Sequence, residues 1–266
     1  MGLTEQQLRF YRTFGFLKFP GLFAPEVGAI TEAFEAVWSA SGRTHDHLKR
    51  SMLIPFIDQH EYLSGLLDDR RIDEVASAVL GDQYNYESSD GNYYVGDTKW
   101  HSDKDPLDPI ESFKIAFYLD PVTRDSGCLR VIPGSVHGSD TFSRALHEAV
   151  PFTMNSRPEE FWGVSGSEVP AFAIESIPGD MLMFNHRIKH SSWGGGDRRR
   201  MFTLNLQQRF AEVDLPRLRE EIVAFGSSRN DGSRGAYGDA MVRTAGPARM
   251  RHLQQRLDAH ATTTRG

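Results

Sequence analysis

At 266 residues, with 39% hydrophobic and 25% charged residues, the chain has the composition of a soluble globular protein with room for one large β-rich domain or two small ones. A net charge of −6 with no basic stripe argues against a nucleic-acid partner, and no stretch approaches the ~18 apolar residues that would span a membrane. A single cysteine, Cys128, excludes an internal disulfide; together with a polar Met1–Phe10 that lacks a secretory apolar core, it predicts a cytoplasmic protein.

Thr4-Glu5-Gln6-Gln7 has the pattern of a helix start, with Leu8, Tyr11 and Phe14 following at helical spacing until Gly15. Gly15 to Pro20 predicts a short strand. A second helix begins at Pro25 and carries Val27, Ile30, Phe34 and Val37 on one face, and Ser39 to Arg50 is a polar loop holding His45 and His47. From about Tyr84 the texture becomes that of short strands between turns: Tyr93–Val95, Phe113–Leu119, Cys128–Ile132, Met181–Phe184 and Met201–Leu206. Such spacing favours a closed or double-sheet β architecture over a parallel α/β sheet. Gly138 to Val169 interrupts it as a long, mixed insertion, a form typical of lids and binding loops. Amphipathic patterns at Leu215–Phe225 and Pro247–Ala259 predict closing helices. The expected organisation is one domain over 1–266, with N-terminal helices to about 80, a β-core over about 84–210 and C-terminal helices over about 211–262.

Three signals carry chemistry. The first is Trp100-His101-Ser102-Asp103. In a strand, residues two apart face the same way, which would aim His101 and Asp103 into one cavity about 7 Å apart. The second is Pro178-Gly179-Asp180 leading into an apolar strand, followed by His186 and His190, either of which could supply a further ligand. Two histidines and one carboxylate on one face form the triad of non-haem Fe(II) oxygenases, which leaves coordination positions open. A structural zinc site would be closed and would ordinarily draw on more cysteine than this chain has. The third is Arg198-Arg199-Arg200 before the apolar run from Met201. A charged run is ordinarily a solvated face, but one arginine turned inward would suit a dicarboxylate by two-pronged pairing.

Together these residues resemble the phytanoyl-CoA dioxygenase family of Fe(II)/2-oxoglutarate oxygenases. The resemblance runs from Leu3-Thr4-Glu5 and Phe14-Gly15-Phe16-Leu17, through the Trp-His-Ser-Asp string and the block from Phe117-Tyr118-Leu119-Asp120 and Ser126-Gly127-Cys128-Leu129 to Ile132-Pro133-Gly134-Ser135-Val136-His137, to Pro178–His190. It implies a mainly β fold with flanking helices, a double-stranded β-helix of the jelly-roll or cupin kind. It implies iron held by His101, Asp103 and His190, the last chosen over His186 by the family's spacing, with 2-oxoglutarate as co-substrate, O₂ as oxidant and ascorbate as a reductant. Ser192 matches a position where the family places a hydroxyl near the co-substrate. The family's anchoring arginine falls on Arg199, with Arg200 close behind, because the Gly194-Gly195-Gly196 loop is about two residues shorter than the family's. Asp103 stands where halogenating relatives carry a small residue, so hydroxylation, or a desaturating or ring-closing variant of it, with release of succinate and CO₂, is expected.

For the substrate, the sequence points to a small polar metabolite such as an amino acid, phosphonate or natural-product intermediate. No basic cluster is present to grip the phosphates of an acyl-CoA. Asn92, Tyr94, His186 and Trp162 are the candidate substrate contacts, and Lys99, Lys104, Arg130 and His137 are further cations that could meet an anion. The rival readings are a cupin-type metalloenzyme that does not use 2-oxoglutarate and a non-catalytic ligand-binding barrel. Oligomeric state has no sequence signal.

Overall fold

The computed structural model describes residues 2–151, 156–232 and 235–263. Among the described residues, ten strands form two antiparallel sheets. They are β1 (Phe16–Phe19), β2 (Ser51–Leu53), β3 (Asn85–Tyr94), β4 (Thr98–His101), β5 (Ser112–Tyr118), β6 (Leu129–Val131), β7 (Phe172–Ile174), β8 (Met181–Asn185), β9 (His190–Ser192) and β10 (Arg199–Gln207). The larger sheet has the order β1-β8-β5-β10-β3-β2 and the smaller β4-β9-β6-β7. This is the double-stranded β-helix expected from the sequence.

Alternation on the large sheet separates two environments. On β5, Phe113, Ile115 and Phe117 face outward into a core shared with Phe34, Val37, Ile72 and Leu253. These come from helices α2 (Val27–Ala40), α4 (Arg70–Leu80) and α9 (Pro247–Thr263), with α1 (Glu5–Phe14) and α3 (Glu61–Ser64) earlier in the chain. Between the sheets, Ala116 and Tyr118 of the same strand join Leu129, Val131, Leu182, Phe184 and Met201. The entry helix forms as its capping box dictates: the Thr4 hydroxyl accepts from the Gln7 N–H, Gln7 returns the bond, and Gly15 closes the helix at φ 85°.

The insertion is not one loop. It contains α5 (Thr141–Ala149) and α6 (Pro158–Trp162) and covers the small sheet, where Leu146, Val150 and Val169 pack on Trp100 and Ile132. Residues 152–155 of that insertion lie outside the described residues. Beyond β10 come α7 (Leu215–Ser228), α8 (Asp239–Arg243) and α9. No described helix is long and apolar enough to cross a membrane.

Candidate active site

His101 closes β4 and His190 opens β9, and the two are directly paired across the small sheet. Register alone therefore places their rings side by side, with centroids 4.2 Å apart. The Nδ1 of His101 lies 2.8 Å from the Lys99 carbonyl, and that of His190 lies 3.0 Å from the Ile188 carbonyl. A carbonyl only accepts, so each Nδ1 carries the proton and each Nε2 keeps its lone pair, the state a metal ligand needs. Burial lowers both rings, His190 to about 3, so both are neutral near pH 7.

Asp103 reaches the same point by a different route from the one expected. Strand β4 ends at His101, so Asp103 is not placed by strand alternation. Its backbone N–H instead donates to the His186 carbonyl at 2.8 Å, as does that of Lys104 at 3.1 Å, and this turns the chain back toward the histidines. The Asp103 carboxylate lies 3.9 Å from His101 Nε2 and 3.7 Å from His190 Nε2. Burial alone would raise this carboxyl, but Lys114 and then the neighbouring histidines hold it below the usual carboxylate range. Among the described residues, His101, Asp103 and His190 are the one His/Cys/Asp/Glu group with ligand atoms within 4.8 Å of one another. Two imidazoles and one carboxylate with open positions suit Fe(II).

The triad sits in a cavity of about 150 Å³, also lined by Arg50, Asp90, Tyr94, Lys114, Ser192, Arg199 and Thr203. The consecutive arginines of β10 part here. Arg199 is 4% exposed and turns inward; its Nη2 donates to Ser192 Oγ at 3.1 Å, while its Nε and Nη1 are buried with no hydrogen-bond partner among the described residues. Arg200 turns outward into Asp120 and Glu35 and is fully engaged there. Unpartnered guanidinium donors beside a serine fit a carboxylate, so the cavity suits the far end of a dicarboxylate such as 2-oxoglutarate. Two glycines open the path for this side chain. A Cβ on Gly127 (φ +86°) would lie 1.7 Å from Arg199 Nη1, and one on Gly195 would lie 2.2 Å from it.

The proposed substrate residues separate. Tyr94 lines the cavity, with the Arg50 guanidinium 4.3 Å from its ring centroid and that of Arg199 at 5.0 Å. Asn92 is buried behind the wall and accepts from Arg50 Nε at 2.8 Å. His186 is buried with Nε2 3.1 Å from Asn205 Oδ1 and does not line the cavity; it contributes the backbone carbonyl that fixes Asp103. Trp162 is 40% exposed on α6 and stands outside the cavity lining. Lys104 pairs with Glu87, and Arg130 donates to the Ser167 and Arg124 carbonyls, so neither faces the cavity. His137 lines a separate cavity of about 530 Å³ beside Tyr11 and Arg187. In the polar loop, His45 bonds to Ser51 Oγ and the Asp197 carbonyl and stacks on Tyr93.

The loop around His45 to Ile57, expected from the sequence to line the pocket, does so through Arg50, Met52 and Ile54, whereas Asp90, Lys114 and Thr203 were missed. Lys114 had a readable signal: it is the one charged residue of β5, on the face opposite Phe113, Ile115 and Phe117.

The model of the phytanoyl-CoA dioxygenase (PhyH) family matches residues 11–201, more than half of the chain. The chain belongs to the phytanoyl-CoA dioxygenase family. It is accordingly a non-haem iron, 2-oxoglutarate-dependent oxygenase acting on a small molecule. Solved structures share the fold. HygX from Streptomyces hygroscopicus, with nickel and 2-oxoglutarate bound, aligns at TM-score 0.61 and 16% identity, over 79% of this chain and 89% of that one. The 2-oxoglutarate-dependent carbocyclase SnoK of nogalamycin biosynthesis aligns at 0.59 and 21%, over 77% and 84%. EctD from S. alaskensis, with 2-oxoglutarate and 5-hydroxyectoine, aligns at 0.58 and 21%, over 77% and 76%. No curated protein matches the chain by sequence.

Proposed function

We propose that this oxygenase hydroxylates a C–H bond of a small polar metabolite (an amino acid, phosphonate or natural-product intermediate), with His101, Asp103 and His190 holding the iron and Arg199 and Ser192 holding the far carboxylate of 2-oxoglutarate. The observation that carries the substrate reading is the cavity itself: about 150 Å³, with Arg50, Asp90, Lys114 and Thr203 on its walls. So small and polar a space disfavours a long acyl chain.

When bound, iron would activate O₂ as the oxidant, one oxygen atom going to 2-oxoglutarate, which leaves as succinate and CO₂, and the other to the substrate. The chain's own residues bind and orient. Neutral imidazoles at positions 101 and 190 present Nε2, and Asp103 adds a carboxylate. Arg199, cradled by Gly127 and Gly195, fixes one end of the co-substrate. Asp90 is held by the Thr203 hydroxyl and lies 3.7 Å from Arg50, which gives one anionic and one cationic group to orient a polar substrate. The working unit is one catalytic domain over 1–266. Cys128 is free and buried, in keeping with a cytoplasmic setting.

A screen of amino acids, phosphonates and acyl-CoA esters, read out as succinate formed above the substrate-free rate, tests this. A small polar compound should stimulate succinate and gain one oxygen. Stimulation by acyl-CoA esters alone would overturn the substrate reading.

A further inference from the structure

Asp103 has two oxygens, and they are held differently. Oδ1 lies 3.9 Å from His101 Nε2, whereas Oδ2 lies 3.7 Å from His190 Nε2 and 3.0 Å from Lys114 Nζ. Lys114 comes from the opposite sheet, on the inner face of β5, where its neighbours two and four residues on are Ala116 and Tyr118. Its side chain is 15% exposed and runs along the Phe184 ring, with Nζ 5.8 Å from the centroid. Among the described residues, Lys114 is the one lysine or arginine paired with Asp103. An ammonium in such a place is costly unless paired, and an apolar residue of the same size would serve stability as well or better. The pair therefore calls for a reason in the chemistry of the site.

A carboxylate can grip a divalent ion with one oxygen or with two, and the second oxygen occupies a further coordination position. The backbone N–H of Asp103 already fixes the turn through the His186 carbonyl, so rotation of the carboxylate is the remaining freedom. A donor on one oxygen removes it. We propose that Lys114 is a positioning residue that restricts Asp103 to one-oxygen ligation and so keeps a coordination position open for the co-substrates. The role rests on the assignment of His101, Asp103 and His190 as metal ligands.

The test uses the full chain loaded with Mn(II), with bound waters counted from ¹⁷O broadening of the EPR lines and 2-oxoglutarate affinity measured by anaerobic titration. Lys114→Met should bind Mn(II) within about threefold of wild type, carry one fewer bound water, and bind 2-oxoglutarate about tenfold more weakly, the scale on which partners of metal ligands act. Lys114→Arg, which keeps a cationic donor, should restore the water count and most of the affinity. Should Lys114→Met fail to fold, Lys114→Ser is read in the same way. An unchanged water count and 2-oxoglutarate affinity would overturn the proposal, as would a parallel loss of Mn(II) affinity that Lys114→Arg does not restore. Asp103→Ala in the same titration separates the two claims. If it binds Mn(II) as wild type does, the ligand assignment fails; if it loses Mn(II) while Lys114→Met is silent, the positioning role alone fails.

Discussion

On the outer face of β5, Phe113, Ile115 and Phe117 meet helices, and nothing polar is asked of them. On the inner face of the same strand, Lys114 and Tyr118 meet a cavity that holds two imidazoles, a carboxylate and an arginine with open donors. Strand β10 repeats the contrast within two residues: Arg200 is satisfied by Asp120 and Glu35, while Arg199 is left with buried, unpartnered donors. Unpaired polar groups are costly in a protein interior. The outer face spends its residues on stability, and the inner face withholds it, keeping groups unsatisfied until ligands arrive.

Substitutions on the two faces should therefore fail in different ways. Asp103→Ala should leave a folded protein that no longer holds iron, with substrate-dependent succinate formation down about a thousandfold, as expected for some 4 kcal/mol of lost metal-assisted stabilisation. A metal titration by fluorescence and a succinate assay check this, and wild-type turnover would refute the ligand set. Phe113→Ala should do the reverse. Denaturant unfolding should show a loss of about 3–5 kcal/mol, while the 2-oxoglutarate KM of the protein that remains folded stays near wild type. A raised KM without destabilisation would erase the contrast between the faces.

pH should expose the withheld stability in metal-free protein. Burial lowers His186 to about 4 and His190 to about 3, from an ordinary 6.5. As pH falls through 6.5 the unfolded chain takes up both protons and the folded chain does not. The stability is thus fully present above 6.5 and lost toward pH 4, by about 2 kcal/mol for each histidine between pH 7 and pH 5. Urea midpoints in EDTA across that window measure it, and a flat profile would mean that the folded rings take up protons at the same pH as the unfolded chain.

Much of the frame was legible in the sequence. Helices α1, α2, α7 and α9 carry clear 3.6-residue patterns, and β5, β8 and β10 are apolar runs long enough to read. The three-residue strands β2, β7 and β9 are too short to show any period. Strand β3, Asn85–Tyr94, was read only at its end because Glu87, Ser88, Ser89, Asp90, Gly91 and Asn92 leave both faces of its middle without apolar residues. The His-x-Asp spacing led to two residues that do converge, but by an incomplete argument, since a backbone bond to His186 places Asp103, and no spacing rule encodes a contact made across the sheets. The choice between Arg199 and Arg200 was likewise a matter of which neighbours each side chain meets. Asp120, Glu35 and Ser192 settle their directions, and the two acids lie 80 and 165 residues from Arg200 in the chain.

The central claim is that the inward arginine, and not its outward neighbour, receives the co-substrate. Anaerobic titration of 2-oxoglutarate into Fe(II)-loaded Arg199→Gln and Arg200→Gln tests it most directly. The predicted result is a loss of affinity of about a hundredfold for Arg199→Gln, the worth of a charge-assisted pair, and a change below about threefold for Arg200→Gln. Equal losses in the two variants, or a larger loss in Arg200→Gln, would contradict it.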